Sequence, residues 1–128
     1  MRTRNQAIGD AAEDLVADVL VARGWRILAR RLRVGRLELD LVAVDPGPPG
    51  RLVAVEVRWR AGREHGLPEE TVDRRKRDRL RAALIRLGEG GRLPDGRPLP
   101  RLPRAVDLVV VEPGIERPEV RHHRDVLA

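Results

Sequence analysis

RLELDLVAVDPGPPGRLVAVEVRWR, residues 36–60, decides the fold. Two runs of β-type residues flank the turn-forming DPGPPG, which predicts a strand, an exposed loop and a second strand. In the first run Leu37, Leu39 and Leu41 alternate with Glu38 and Asp40. In the second, Val53, Val55, Val57 and Trp59 alternate with Ala54, Glu56 and Arg58. Successive side chains on a strand point to opposite faces, so each run is expected to have an aliphatic face and a face carrying charge. Pairing the runs gathers Asp40, Glu56 and Arg58 on one face of a small sheet. Two carboxylates with a cation beside them suit divalent-metal phosphodiester chemistry. The same pattern also fits two solvated acids on an open sheet face, with Arg58 in a cross-strand ion pair.

Residues 6–23 have helical spacing, with Ile8, Ala12, Leu15, Val16, Val19 and Leu20 on one arc and Gly24 as the cap. Asp10, Asp14 and Asp18 lie opposite, while Glu13 falls at the edge of the apolar arc, where the helix can hold it at the sheet margin. Residues 25–33 read as a weakly alternating strand. A polar loop follows Arg60, and residues 69–87 form a second helix with Val72, Leu80, Ala83, Leu84 and Leu87 at helical spacing. Residues 88–104 are rich in Gly and Pro and predict a mobile surface loop. Residues 105–112, AVDLVVVE, predict a buried strand, and the tail beyond Pro113-Gly114 either adds a short edge strand or ends partly ordered. The order is αβββαβ with that open ending. It predicts one α/β domain over residues 1–128, a mixed central sheet flanked by helices.

The chain has 128 residues, enough for one domain with a genuine core. Aromatics are 2% with no Phe or Tyr, so the core must be Leu, Val, Ile and Ala. The absence of cysteine excludes disulfides, zinc–thiolate sites and thiol nucleophiles. No apolar stretch approaches a signal peptide or membrane span, so a cytoplasmic location and no membrane partner are expected. A net charge of +6 favours a polyanionic partner, nucleic acid first and an anionic membrane surface second. All the basic residues but Lys76 are Arg, which a GC-rich genome would also produce.

The basic run on the second helix, Arg74, Arg75, Lys76, Arg77, Arg79 and Arg81, is broken by Asp78 and Leu80. It reads either as a solvated face or as a phosphate-contacting one. With Arg30, Arg31, Arg33 and Arg60 it could track a nucleic-acid backbone. Arg58 could hold a phosphate bidentately but cannot act as a base, because guanidinium does not deprotonate in proteins. Glu13 is the candidate third ligand, and otherwise an ordinary boundary glutamate. His65, His122 and His123 show no metal-site spacing and read as surface residues. Trp25 and Trp59 read as core or partly buried anchors.

Gly9-x-x-x-Glu13, then Glu38-Leu-Asp40-Leu-Val, then Val55-Glu56-Val57-Arg58-Trp59-Arg60, resemble the YraN family of small bacterial proteins. Gly66, Lys76 and Asp107 match further positions of that pattern, and the resemblance covers about residues 6–126. It implies a restriction-endonuclease-like fold in the PD-(D/E)xK nuclease superfamily, near Holliday-junction resolvases. In that superfamily the acids here numbered Asp40 and Glu56 bind Mg²⁺ or Mn²⁺, with help from Glu13 and the backbone carbonyl of Val57. A lysine two residues after the second acid assists the attacking water, but here Arg58 stands there. Lys76 is a conceivable substitute.

These readings lead to a metal-dependent, endonuclease-like protein acting on branched or damaged nucleic acid, DNA ahead of RNA. The resolvase likeness allows a homodimer. Two alternatives stand beside it: a nucleic-acid-binding module that has lost turnover, and a protein that meets an acidic partner through its basic surface.

Overall fold

The computed structural model describes residues 3–60 and 74–127. The elements are α1 (Arg4–Ala22), β1 (Arg26–Val34), β2 (Leu37–Asp45), β3 (Arg51–Trp59), α2 (Arg74–Gly90), β4 (Arg104–Glu112) and β5 (Glu119–His123). They form one mixed five-stranded sheet in the spatial order β1-β2-β3-β4-β5, so the tail does add the short edge strand. Neighbours are antiparallel except β3 and β4, which are parallel. A parallel pair needs a crossover, and α2 lies on that connection. The polar loop, Gly66, His65 and the predicted start of the second helix lie outside the described residues.

Each helix covers one sheet face. Ala12, Val16, Ala17 and Leu20 of α1 pack on Leu41, Ala43, Val53, Val55, Val109 and Val111. Leu80, Ala83, Leu84 and Leu87 of α2 pack on Val42, Leu52, Ala54 and Val106 of the other face. The sheet therefore has no open polar face. That corrects the reading of Leu37, Leu39 and Leu41 as one aliphatic face: Leu39 joins the α2-side cluster and Leu41 the α1-side cluster. Simple alternation fails across Asp40.

Local chemistry fixes the helix ends. Thr3 and Gln6 form a capping box, the Thr3 hydroxyl accepting from Gln6 N and the Gln6 side chain accepting from Thr3 N at 2.7 Å. Gly24 ends α1 with φ of +89°, and Trp25 N donates to Leu20 O. The Gly/Pro segment after α2 is irregular, as its composition implies, and it is tethered. Leu93 and Leu99 are buried, Leu93 N donates to Arg97 O, and Arg97 reaches Leu28 O at 2.6 Å.

Candidate metal centre

The strands β2 and β3 pair from Asp45↔Arg51 at the loop up to Leu41↔Val55, and the pairing stops at that end. Beyond it β3 continues against β4, from Glu56↔Leu108 to Trp59↔Val111. Asp40 and Glu56 therefore stand at the fork where two paired strands part. The Val57 N–H, freed at this fork, donates to Asp40 Oδ2 at 2.8 Å. The sequence pattern brought the two acids together, and the fork explains how.

The electrostatics are those of a crowded acidic site. Burial, the Glu56 carboxylate and the nearby Glu13 push Asp40 up to about 7, against the Val57 hydrogen bond and Lys76. Lys76, at the N-terminal end of α2, places Nζ 3.1 Å from Glu56 Oε1. Arg58 sits farther from the same oxygen, at 3.7 Å. Its Nε is buried and finds no acceptor among the described residues.

Glu13 sits at the margin of this cluster. Its carboxylate accepts from Arg31 Nε at 3.0 Å, and Arg31 also reaches Asp10 at 2.8 Å. Burial, with the Asp10 and Glu38 carboxylates, holds the Glu13 pKa above its ordinary value against Arg31. Among the described residues no three His, Cys, Asp or Glu side chains are clustered to cage a metal ion. Asp40 and Glu56 are brought together, while Glu13, near enough to raise Asp40, is paired with Arg31.

The arginines read as a backbone track divide into two groups. Arg30 and Arg31 are tied to α1, Arg30 to Asp14. Arg33, Arg74, Arg75 and Arg77 are exposed, whereas Arg60 is half-buried and donates to Trp59 O.

A second polar cluster, on the α1 face toward the other sheet end, escaped the sequence reading. Asp107 is fully buried in β4 and accepts from His122 Nε2 at 2.8 Å, from Asp125 N at 2.9 Å and from Arg51. Arg51 and Arg124 both reach Asp45, whose side chain also accepts from Gly47 N. His122 is thus no surface residue: its ring packs between this network and Trp25. These hydrogen bonds hold the Asp107 and Asp45 carboxyls below the usual aspartate range, against the opposing effect of burial. The available signal was one acid inside the apolar run AVDLVVVE, which burial forces to find partners.

Residues 12–111 match the family described as Uncharacterised protein family UPF0102. The chain belongs to that family. A UPF0102 protein of Symbiobacterium thermophilum is 40% identical over 111 residues, covering 86% of each chain. One of Roseiflexus castenholzii is 35% identical over 120 residues, covering 94% of this chain and 90% of its own. Among solved structures, SfsA of Pyrococcus furiosus in complex with Ca²⁺ aligns with a TM-score of 0.39 and 16% identity, over 91% of this chain and 62% of that one. In the described residues no helix is long and apolar enough to cross a membrane.

Proposed function

We propose that this UPF0102 protein is a metal-dependent endonuclease of the PD-(D/E)xK type, acting in the cytoplasm on branched or damaged DNA. The observation that carries the reading is the Asp40–Glu56 pair at the strand fork, with Asp40 pushed up to about 7 by its neighbour and by burial. Two carboxylates held this close are stabilised by a cation between them, and two are the number a Mg²⁺-like site uses when water and phosphate oxygens complete the shell. Asp40 and Glu56 would hold Mg²⁺ or Mn²⁺ with the Val57 carbonyl, and Glu13 is the further acid in reach. When bound, the cation supplies charge neutralisation at the phosphate and a more acidic water.

The chain's own side chains divide the remaining work. Arg58, whose side chain is partly exposed beside Glu56, would meet a phosphate oxygen through its guanidinium. Lys76, an ammonium 3.1 Å from Glu56, would orient the attacking water and could give its own proton to the leaving oxygen, a transfer Arg58 cannot make. Arg74, Arg75 and Arg77 extend from the same helix end as exposed cations for the flanking backbone.

The test is a panel of duplex, flap and four-way-junction DNA incubated with Mg²⁺ or Mn²⁺. Cleavage by the native protein and none by Asp40→Ala is expected; activity that survives Asp40→Ala would sink the site. Lys76→Ala and Lys76→Arg should both lose about 10²–10⁴-fold in single-turnover rate, the usual worth of a proton-handling group. If Lys76→Arg cleaves normally, Lys76 serves as a bare charge. The binding-only alternative predicts salt-dependent DNA binding without cleavage, little changed by Asp40→Ala.

A further inference from the structure

Arg31 is a non-glycine residue in the left-handed region, with φ of +48°, inside strand β1. A β-branched-free side chain tolerates this, but at a cost, and such strain gathers at functional positions. The register places it well. Arg30 pairs with Leu41 and Leu32 with Leu39, so Arg31 stands opposite Asp40. Its guanidinium is turned onto α1, where it binds Glu13 and Asp10 together. The Glu13 side chain is 12% exposed and that of Arg31 36%, so the acid is the more buried partner of the pair.

We propose that Arg31 is the positioning residue that decides whether Glu13 serves the Asp40–Glu56 centre. While the guanidinium holds Glu13, the centre has two carboxylates and binds a divalent cation weakly; when the contact opens, Glu13 joins as a third ligand. The inference rests on the metal-centre reading above.

The experiment is calorimetric titration with Mn²⁺ in the absence of DNA. Arg31→Gly and Arg31→Asn both accept the left-handed backbone and remove the guanidinium, so both should fold. Each is expected to bind Mn²⁺ about tenfold more tightly than the native protein, since an added carboxylate raises affinity at oxygen-ligand sites. The gain should vanish when Glu13→Gln is added, because it runs through that carboxylate. Unchanged or weaker binding in the Arg31 variants overturns the inference alone. So does an equal gain in the Glu13→Gln background, which would mark a mere loss of positive charge. Absence of Mn²⁺ binding in every variant and the native chain overturns the metal centre itself, and this inference with it.

Discussion

Asp40→Asn should abolish cleavage and at the same time make the protein more stable at pH 8. The loss of rate is expected to be at least about 10³-fold, the scale of removing a ligand from a metal that stabilises phosphoryl charge. The gain in stability follows from linkage. The Asp40 carboxyl is raised from 3.8 to about 7 in the folded chain. A group raised on folding contributes fully below its unfolded value and loses that contribution as pH rises through its folded value. Between about pH 4 and 7, then, Asp40 works progressively against the fold. Partial solvent access at Asp40 screens this to on the order of 1–3 kcal/mol, which asparagine removes. The Val57 N–H keeps an acceptor in the amide oxygen. Denaturant unfolding of both proteins at pH 5 and pH 8 reads the effect: the variant's advantage should appear at pH 8 and shrink at pH 5. A variant less stable at both would mean that Asp40 is a structural acid.

Asp107→Ala should have the opposite signature. It leaves Arg51 and His122 facing a buried gap, and breaking a buried charge network typically costs about 3–5 kcal/mol. The Asp107 and Asp45 carboxyls are lowered on folding. A lowered group contributes above its unfolded value and loses that contribution as pH falls through the folded one. The native protein should therefore lose stability in acid below about pH 4, and Asp107→Ala should lose less further stability there. The network also ties the tail to the sheet, through Asp125 N to Asp107 and Val126 N to Val106 O. Amide exchange in residues 119–126 should rise in the variant, while exchange around Leu41 and Val55 changes little.

Element order was legible because each run has a clear period or a clear stop. Gly24 ends α1, DPGPPG separates β2 from β3, and Pro113-Gly114 ends β4. Asp40, Glu56 and Arg58 were legible as charges set into two adjacent β-type runs, which pairing brings to one end of the strand pair. What the pattern could not carry was contact between distant elements. Lys76 reaches Glu56 only because α2 packs across β3, and a helical wheel contains no such information. His122 reaches Asp107 because β5 registers Val109 against His122. The turnover of faces at Asp40 was hidden as well. Leu39 and Leu41 look equivalent in sequence, yet the strand fork sends them to opposite sides. Arg31 reads as a backbone-tracking cation in sequence because its pairing with Asp10 and Glu13 depends on how α1 lies beside β1.

The central claim is that Asp40 and Glu56 form a divalent-cation site. Titration with Mn²⁺ by calorimetry at pH 7, in two buffers of different ionisation heat, tests it most directly. Because burial and the Glu56 carboxylate raise the Asp40 pKa, the account predicts one cation per chain and release of protons on binding. Both should be lost in Asp40→Asn. No binding in the millimolar range, or binding of equal strength in Asp40→Asn, would contradict it.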